Sequence, residues 1–145
     1  MNLDALIKSA EKLGPFKAET ADHFHKNELL LLARVNQRIQ ERDDLHMLTG
    51  EYNLELMKDN HANHIRFIRS MLEAYEAREL AETVFWVFRV YRTRGFAPLY
   101  WSVQLNIFLE ELQKLLPESA FNDIRPLYEW IIVHIPAFDT LSDNT

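Results

Sequence analysis

The stretch LELMKDNHANHIRFIRSMLEAY, residues 54–75, decides the fold. In it Leu54, Met57, His61, His64, Ile68, Met71 and Tyr75 recur at alternating intervals of three and four. That spacing keeps all seven on one face of an α-helix, and most of them are apolar, so the face is one that packs into a core. Two histidines therefore sit in the middle of a buried stripe. A buried imidazole without a partner costs roughly 1–3 kcal/mol. Each one requires a hydrogen-bonding neighbour in the core, a water or a ligand.

The same periodicity runs outward in both directions. Upstream, residues 2–13 carry Leu3, Leu6, Ala10 and Leu13 on one face, and Gly14-Pro15 stops that helix. Residues 19–42 read as a long helix, with Phe24, Leu31 and Val35 on one line and Leu29, Leu32 and Ile39 on another. Downstream, residues 77–95 hold a very apolar centre, Val84-Phe85-Trp86-Val87-Phe88. Residues 99–116 follow with Trp101, Leu105, Phe108, Leu112 and Leu115. A last helix opens at Pro117-Glu118-Ser119, and Pro136 is expected to end it. Residues 139–145 read as a loose tail. No apolar run alternates with period two, so no strand is expected. The expectation is one all-α domain over residues 1–145 with about six helices, the first of them within residues 1–15.

Composition narrows the function. The 145 residues carry 16 Lys+Arg against 22 Asp+Glu, a formal net charge of -6, with no basic block to grip a phosphate backbone. Nucleic acid is not an expected partner. The longest run without a charge, residues 95–109, is broken by Pro98, Gln104 and Asn106 and is shorter than the roughly 20 residues of a membrane span. No membrane association is expected. There is no Cys, which removes disulfides, thiolate metal sites and cysteine nucleophiles. The first residues, MNLDALIKSAEK, lack the apolar core of a secretory leader, so a cytoplasmic location is expected.

The motifs of catalysis are missing. No Glu stands three residues before a His, as a di-metal helical bundle requires. His23 and His25 point about 200° apart on a helix and cannot chelate together. There is no G-x-S-x-G elbow and no phosphate-cradling glycine loop. We expect a protein that is not an enzyme and has no resident metal. A redox or metal site using His61 and His64 is the weaker rival.

The segment VYRTRGFAPLYW, residues 90–101, resembles the junction between the F and G helices of globin-coupled sensors. There a helix ends in the haem-ligating His, a Gly follows, and a Pro with an aromatic pair opens the next helix. The helix order agrees over roughly residues 19–135. In this chain the ligand position, four before Gly95, is Tyr91. Leu80, Val84, Val87 and Tyr91 are spaced 4, 3, 4, so Tyr91 faces inward. The chain also resembles the non-haem globin domains of bacterial stressosome sensors, which keep the fold without the iron ligand, and phycobiliproteins and bilin-associated globins. The stretch beginning His64-Ile65-Arg66-Phe67-Ile68 has a likeness to helical domains that precede cobalamin-binding modules.

The resemblance implies a globin-like sensor that binds a tetrapyrrole, a bilin or haem, non-covalently between its E-like and F-like helices. Such a plate needs aromatic walls, hydrogen-bonding groups and cations for its propionates. The expected pocket residues are His61, His64, Phe67, Ile68, Phe88, Tyr91 and Tyr100, with Arg66 and Arg94 at the rim. Phe85, Arg69 and Arg92 are further candidates. The alternative is a non-haem regulatory module that docks to another protein. The resemblance further implies a homodimer through residues 99–135 and signalling through a separate effector protein.

Overall fold

The computed structural model describes residues 1–143. They form an all-helical single domain without strands. The helices are α1 (Leu3–Ser9), α2 (Ala18–Gln40), α3 (Leu45–Thr49), α4 (Leu54–Glu73), α5 (Ala77–Thr93), α6 (Pro98–Leu115), α7 (Glu118–Val133) and α8 (Ile135–Asp143). The order is consistent with a globin-like arrangement. No helix among the described residues is long and apolar enough to cross a membrane.

The 54–75 stripe forms α4 and packs as its spacing dictates. Met57, His61, Ile68 and Met71 have no exposed surface. α2 is the spine of the domain, crossing α4, α6 and α7, and contributes the fully buried Phe24, Leu31, Val35 and Ile39. One position on α2 differs from expectation. Leu29 is 85% exposed, because the core stripe runs along Phe24, Leu31 and Val35 and leaves Leu29 on the outer face.

The corner after α5 is built as its sequence requires. Phe96 N–H donates to Tyr91 O at 3.1 Å and Gly95 N–H to Arg92 O at 3.2 Å, the paired bonds of a helix end that turns through a left-handed residue. Gly95 supplies that conformation with φ +96°. Asn53, just before α4, locks the corner down by donating to Thr49 O at 2.7 Å and Arg94 O at 2.8 Å. Ala97 N–H adds a bond to Leu48 O at 2.8 Å. The start of α4 and the start of α6 are thereby held side by side.

Two expectations need correction. The final segment is no loose tail: residues 139–143 belong to α8, and residues 144–145 lie outside the described residues. Pro136 does not end a helix but sits in the first turn of one, where a missing N–H costs nothing. α8 is anchored by Phe138, which is fully buried against Phe88 and Trp130 at ring separations of 5.6 and 5.7 Å. Arg92 clamps it to α5 through Asp139 at 2.9 Å and Asp143 at 2.7 Å. With α3, this brings the described helices to eight rather than six.

The apolar side chains of α6 and α7, Leu105, Phe108, Ile124, Leu127 and Ile131 among them, are buried within the chain. Their outer faces carry Glu110, Gln113, Asn122, Arg125 and Glu129, with Leu99 and Val133 the exposed large apolar side chains.

Phe138→Ala removes the anchor of α8 and is expected to cost about 3–5 kcal/mol of stability by urea unfolding. A loss below about 1 kcal/mol would mean that α8 does not contribute to the core.

Candidate functional site

The core of the molecule is polar around the middle of α4. His61 on α4 is completely buried, and both its ring nitrogens are engaged. Nδ1 lies 2.6 Å from Asn36 Oδ1 on α2, and Nε2 lies 2.9 Å from the Tyr100 hydroxyl on α6. The Tyr100 hydroxyl is also 2.7 Å from Asn60 Oδ1, to which Gln104 Nε2 donates at 2.9 Å. Asn60, Tyr100 and Gln104 are themselves buried.

Tyr100 has one proton for two neighbours. If it donates to Asn60, His61 carries its proton on Nε2 and Asn36 turns its amide nitrogen to Nδ1. If it donates to His61, the Asn60 and Gln104 amides both turn over. Either arrangement leaves one polar atom of the Gln104 amide without a partner. As placed, that atom is Oε1, which is buried and unpartnered.

One turn along α4, His64 Nε2 lies 2.7 Å from the Tyr128 hydroxyl on α7. Its ring rests on Phe108 at 4.5 Å. No described residue makes a hydrogen bond to its other nitrogen, Nδ1. Burial drives both histidines down to about 3, and for His61 the proximity of His64 adds to the effect. Both are neutral at pH 7.

Beside this network α4 and α5 stand apart, whereas α2 and α4 pack closely. The gap is a cavity of about 190 Å³ walled by α4, α5, α6 and Ile131 of α7. Phe88, Trp101 and Tyr91 form its aromatic side, stacked with Phe88–Trp101 at 4.6 Å and Tyr91–Trp101 at 5.7 Å. Asn60, His64 and Gln104 form its polar side. The exposed Asn63 and Trp86 mark its mouth. The wall contains no Lys, Arg, Asp or Glu.

The expected site residues divide accordingly. His64, Phe67, Phe88 and Tyr91 line the cavity. Tyr91 faces inward as its spacing predicts. Burial raises the pKa of its phenol, and hydrogen bonding to Asn60 and Asn63 lowers it in part. His61, Ile68 and Tyr100 are buried behind the wall rather than in it. Arg66 stands at the mouth of the cavity, bonded to Asn63, and the other arginines do not line it. Arg94 is exposed at the corner, Arg69 pairs with Glu28 at 2.9 Å, and Arg92 holds α8. Phe85 lies outside the wall with the Arg89 guanidinium 5.4 Å above its ring. Sequence reasoning missed Asn60, Trp101 and Gln104. The signal available was Tyr100 and Gln104 one helical turn apart beside an apolar stripe.

Among the described residues no group of three or more His, Asp or Glu is placed to hold a metal ion. Comparison with protein-family models, with curated proteins and with solved structures finds no match to this chain.

The neutral histidines make the fold sensitive to acid. The unfolded chain takes up their protons near pH 6.5, whereas the folded chain does so only near pH 3. Stability is therefore complete above about pH 6.5 and falls as pH drops toward 3. Urea unfolding is expected to show a loss of at least about 2 kcal/mol between pH 7 and pH 5. A flat profile over that interval would contradict buried, neutral imidazoles.

Proposed function

We propose that the chain is a non-catalytic ligand-binding module whose ligand enters between α4 and α5. The observation that carries this reading is the pocket itself, which opens beside Asn63 and Trp86 between α4 and α5 and reaches in to Phe88, Trp101 and Gln104. A wall with an aromatic side and a few convergent polar groups has the character of a small-molecule site. No carboxylate lines it, and its one histidine, the half-buried His64, is held neutral, so the wall has no acid–base pair for chemistry at pH 7.

The tetrapyrrole implied by the resemblance fits poorly. The cavity of about 190 Å³ is smaller than the roughly 300–1,000 Å³ usual for larger ligands. His61 has no free nitrogen, and of the arginines Arg69 and Arg92 are paired with carboxylates elsewhere, which leaves Arg66 at the mouth. A bilin or haem would require α4 and α5 to separate further. A module that signals by docking to another protein is favoured by a different observation, the exposed Leu29 and Leu30 on the outer face of α2.

The test is thermal unfolding with and without benzene, with Val84→Trp as a variant that fills the cavity. Benzene at ten times its dissociation constant is expected to add about 1.4 kcal/mol and raise the midpoint by about 3–5 °C. The rise should vanish in Val84→Trp. No rise in the parent protein, or an equal rise in the filled variant, would refute a binding cavity at this place. Absorption titration with hemin and biliverdin in parallel tests the larger ligands, and a band saturating at one pigment per chain would show that the cavity opens.

A further inference from the structure

The inside and the mouth of the pocket between α4 and α5 differ in chemistry, and the ligand class they select rests on the binding role just proposed. Inside, Phe88 and Trp101 stack at 4.6 Å with Val84 and Leu105 beside them. A flat aromatic body is the shape such a surface receives. The mouth opens to solvent between Asn63 on α4 and Trp86 on α5, which is 60% exposed.

Arg66 stands at this mouth, one helical turn beyond Asn63, and its guanidinium donates to Asn63 Oδ1. No carboxylate among the described residues pairs with it. Its neighbours on α4 and α5 differ in this respect: Arg69 pairs with Glu28, Arg78 with Glu82, and Arg92 with Asp139 and Asp143. The bond to Asn63 uses one of the guanidinium's five N–H donors and leaves a planar fork suited to a carboxylate. It also holds the long side chain against the rim, so less freedom is lost when an anion arrives. Because the mouth is open, a charged group held there keeps part of its hydration.

One acidic residue shares this flank of α4. Asp59 lies a turn before Asn63, on the side away from Arg66, and its effect on the Tyr91 phenol is opposed by that of Arg94. The Arg66 end keeps the unmatched charge. We propose that the pocket takes an aromatic carboxylate, with its ring on the Phe88–Trp101 stack and its carboxylate at the mouth on the Arg66 guanidinium and the Asn63 amide.

Isothermal titration calorimetry at pH 7 with 3-phenylpropionate, 3-phenylpropan-1-ol and 3-phenylpropylamine tests this, since the three share a ring and spacer and differ in charge. The acid is expected to bind tightest, by about threefold to tenfold over the alcohol, with the amine weakest. Arg66 is exposed, so its substitution leaves the core intact. Arg66→Gln should bring the acid to the level of the alcohol, and Arg66→Glu should reverse the order of acid and amine. 3-Cyclohexylpropionate, which keeps the charge and cannot lie flat on the stack, should bind more weakly than 3-phenylpropionate. Alcohol or amine binding as tightly as the acid, or an order unchanged in Arg66→Glu, overturns the carboxylate at the mouth and leaves the pocket standing as a site. Cyclohexyl acid binding as tightly as the phenyl acid overturns the aromatic body. If none of the four binds while benzene still raises the unfolding midpoint, this inference fails and the binding role survives. If benzene fails as well, both fall.

Discussion

The buried chain of hydrogen bonds Asn36–His61–Tyr100–Asn60–Gln104 is the constraint on which the rest of the structure depends. It joins α2, α4 and α6 at the centre of the core, where each polar group left unmatched would cost about 1–3 kcal/mol. Apolar packing alone would let α4 rotate or slide on α2 with little penalty. The network does not, because each bond requires one register of the three helices. A second buried polar cluster ties the same stretch of α2 to α6 further along α6. Glu111 on α6, almost fully buried, receives Arg38 at 2.8 Å and Lys114 at 3.0 Å, with Arg34 at 3.6 Å. Burial pushes its carboxyl up, but the hydrogen bonds and charges of Lys114 and Arg38 outweigh this and hold it below its ordinary pKa.

Fixing α4 on α2 and α6 leaves α5 to be held by other means. α5 packs on α1 and α8, and its end is stapled to the start of α4 through Asn53 and the Gly95 turn. None of these contacts draws its middle onto α4. The cavity is thus a consequence of two independent sets of restraints that meet only at the corner. Its wall takes a polar side from Asn60 and Gln104 of the network and its flat side from the Phe88–Trp101–Tyr91 stack. Structure and chemistry are linked here by a single residue, since Gln104 ends the network and lines the cavity.

Much of this was legible in the sequence because helical periodicity reports burial directly. The stripe from Leu54 to Tyr75, the inward Tyr91 and the corner at Gly95 stand where their spacing places them. What spacing does not report is partnership. His61 and His64 look equivalent on α4, yet one is consumed by Asn36 and Tyr100 while the other keeps a nitrogen free, a difference made by α2, α6 and α7. Asn60 and Gln104 read as ordinary polar positions until the helices are assembled. The arginines flanking α4 and α5 suggested an anionic ligand, but Arg69 and Arg92 are spent on Glu28, Asp139 and Asp143 from neighbouring helices. α8 was missed because a proline can either stop a helix or occupy its first turn, and only Phe138 in the core decides between them.

The most direct measurement of the central claim is a crystal structure of the chain under xenon pressure. Xenon enters cavities with apolar walls and reports their position by its scattering, with no demand on hydrogen bonding. The account predicts a xenon site between α4 and α5, against Val84, Phe88 and Leu105, with Gln104 still bonded to Asn60 and its other amide atom unpaired by protein. Helices α4 and α5 packed in contact, with no xenon between them, would contradict it.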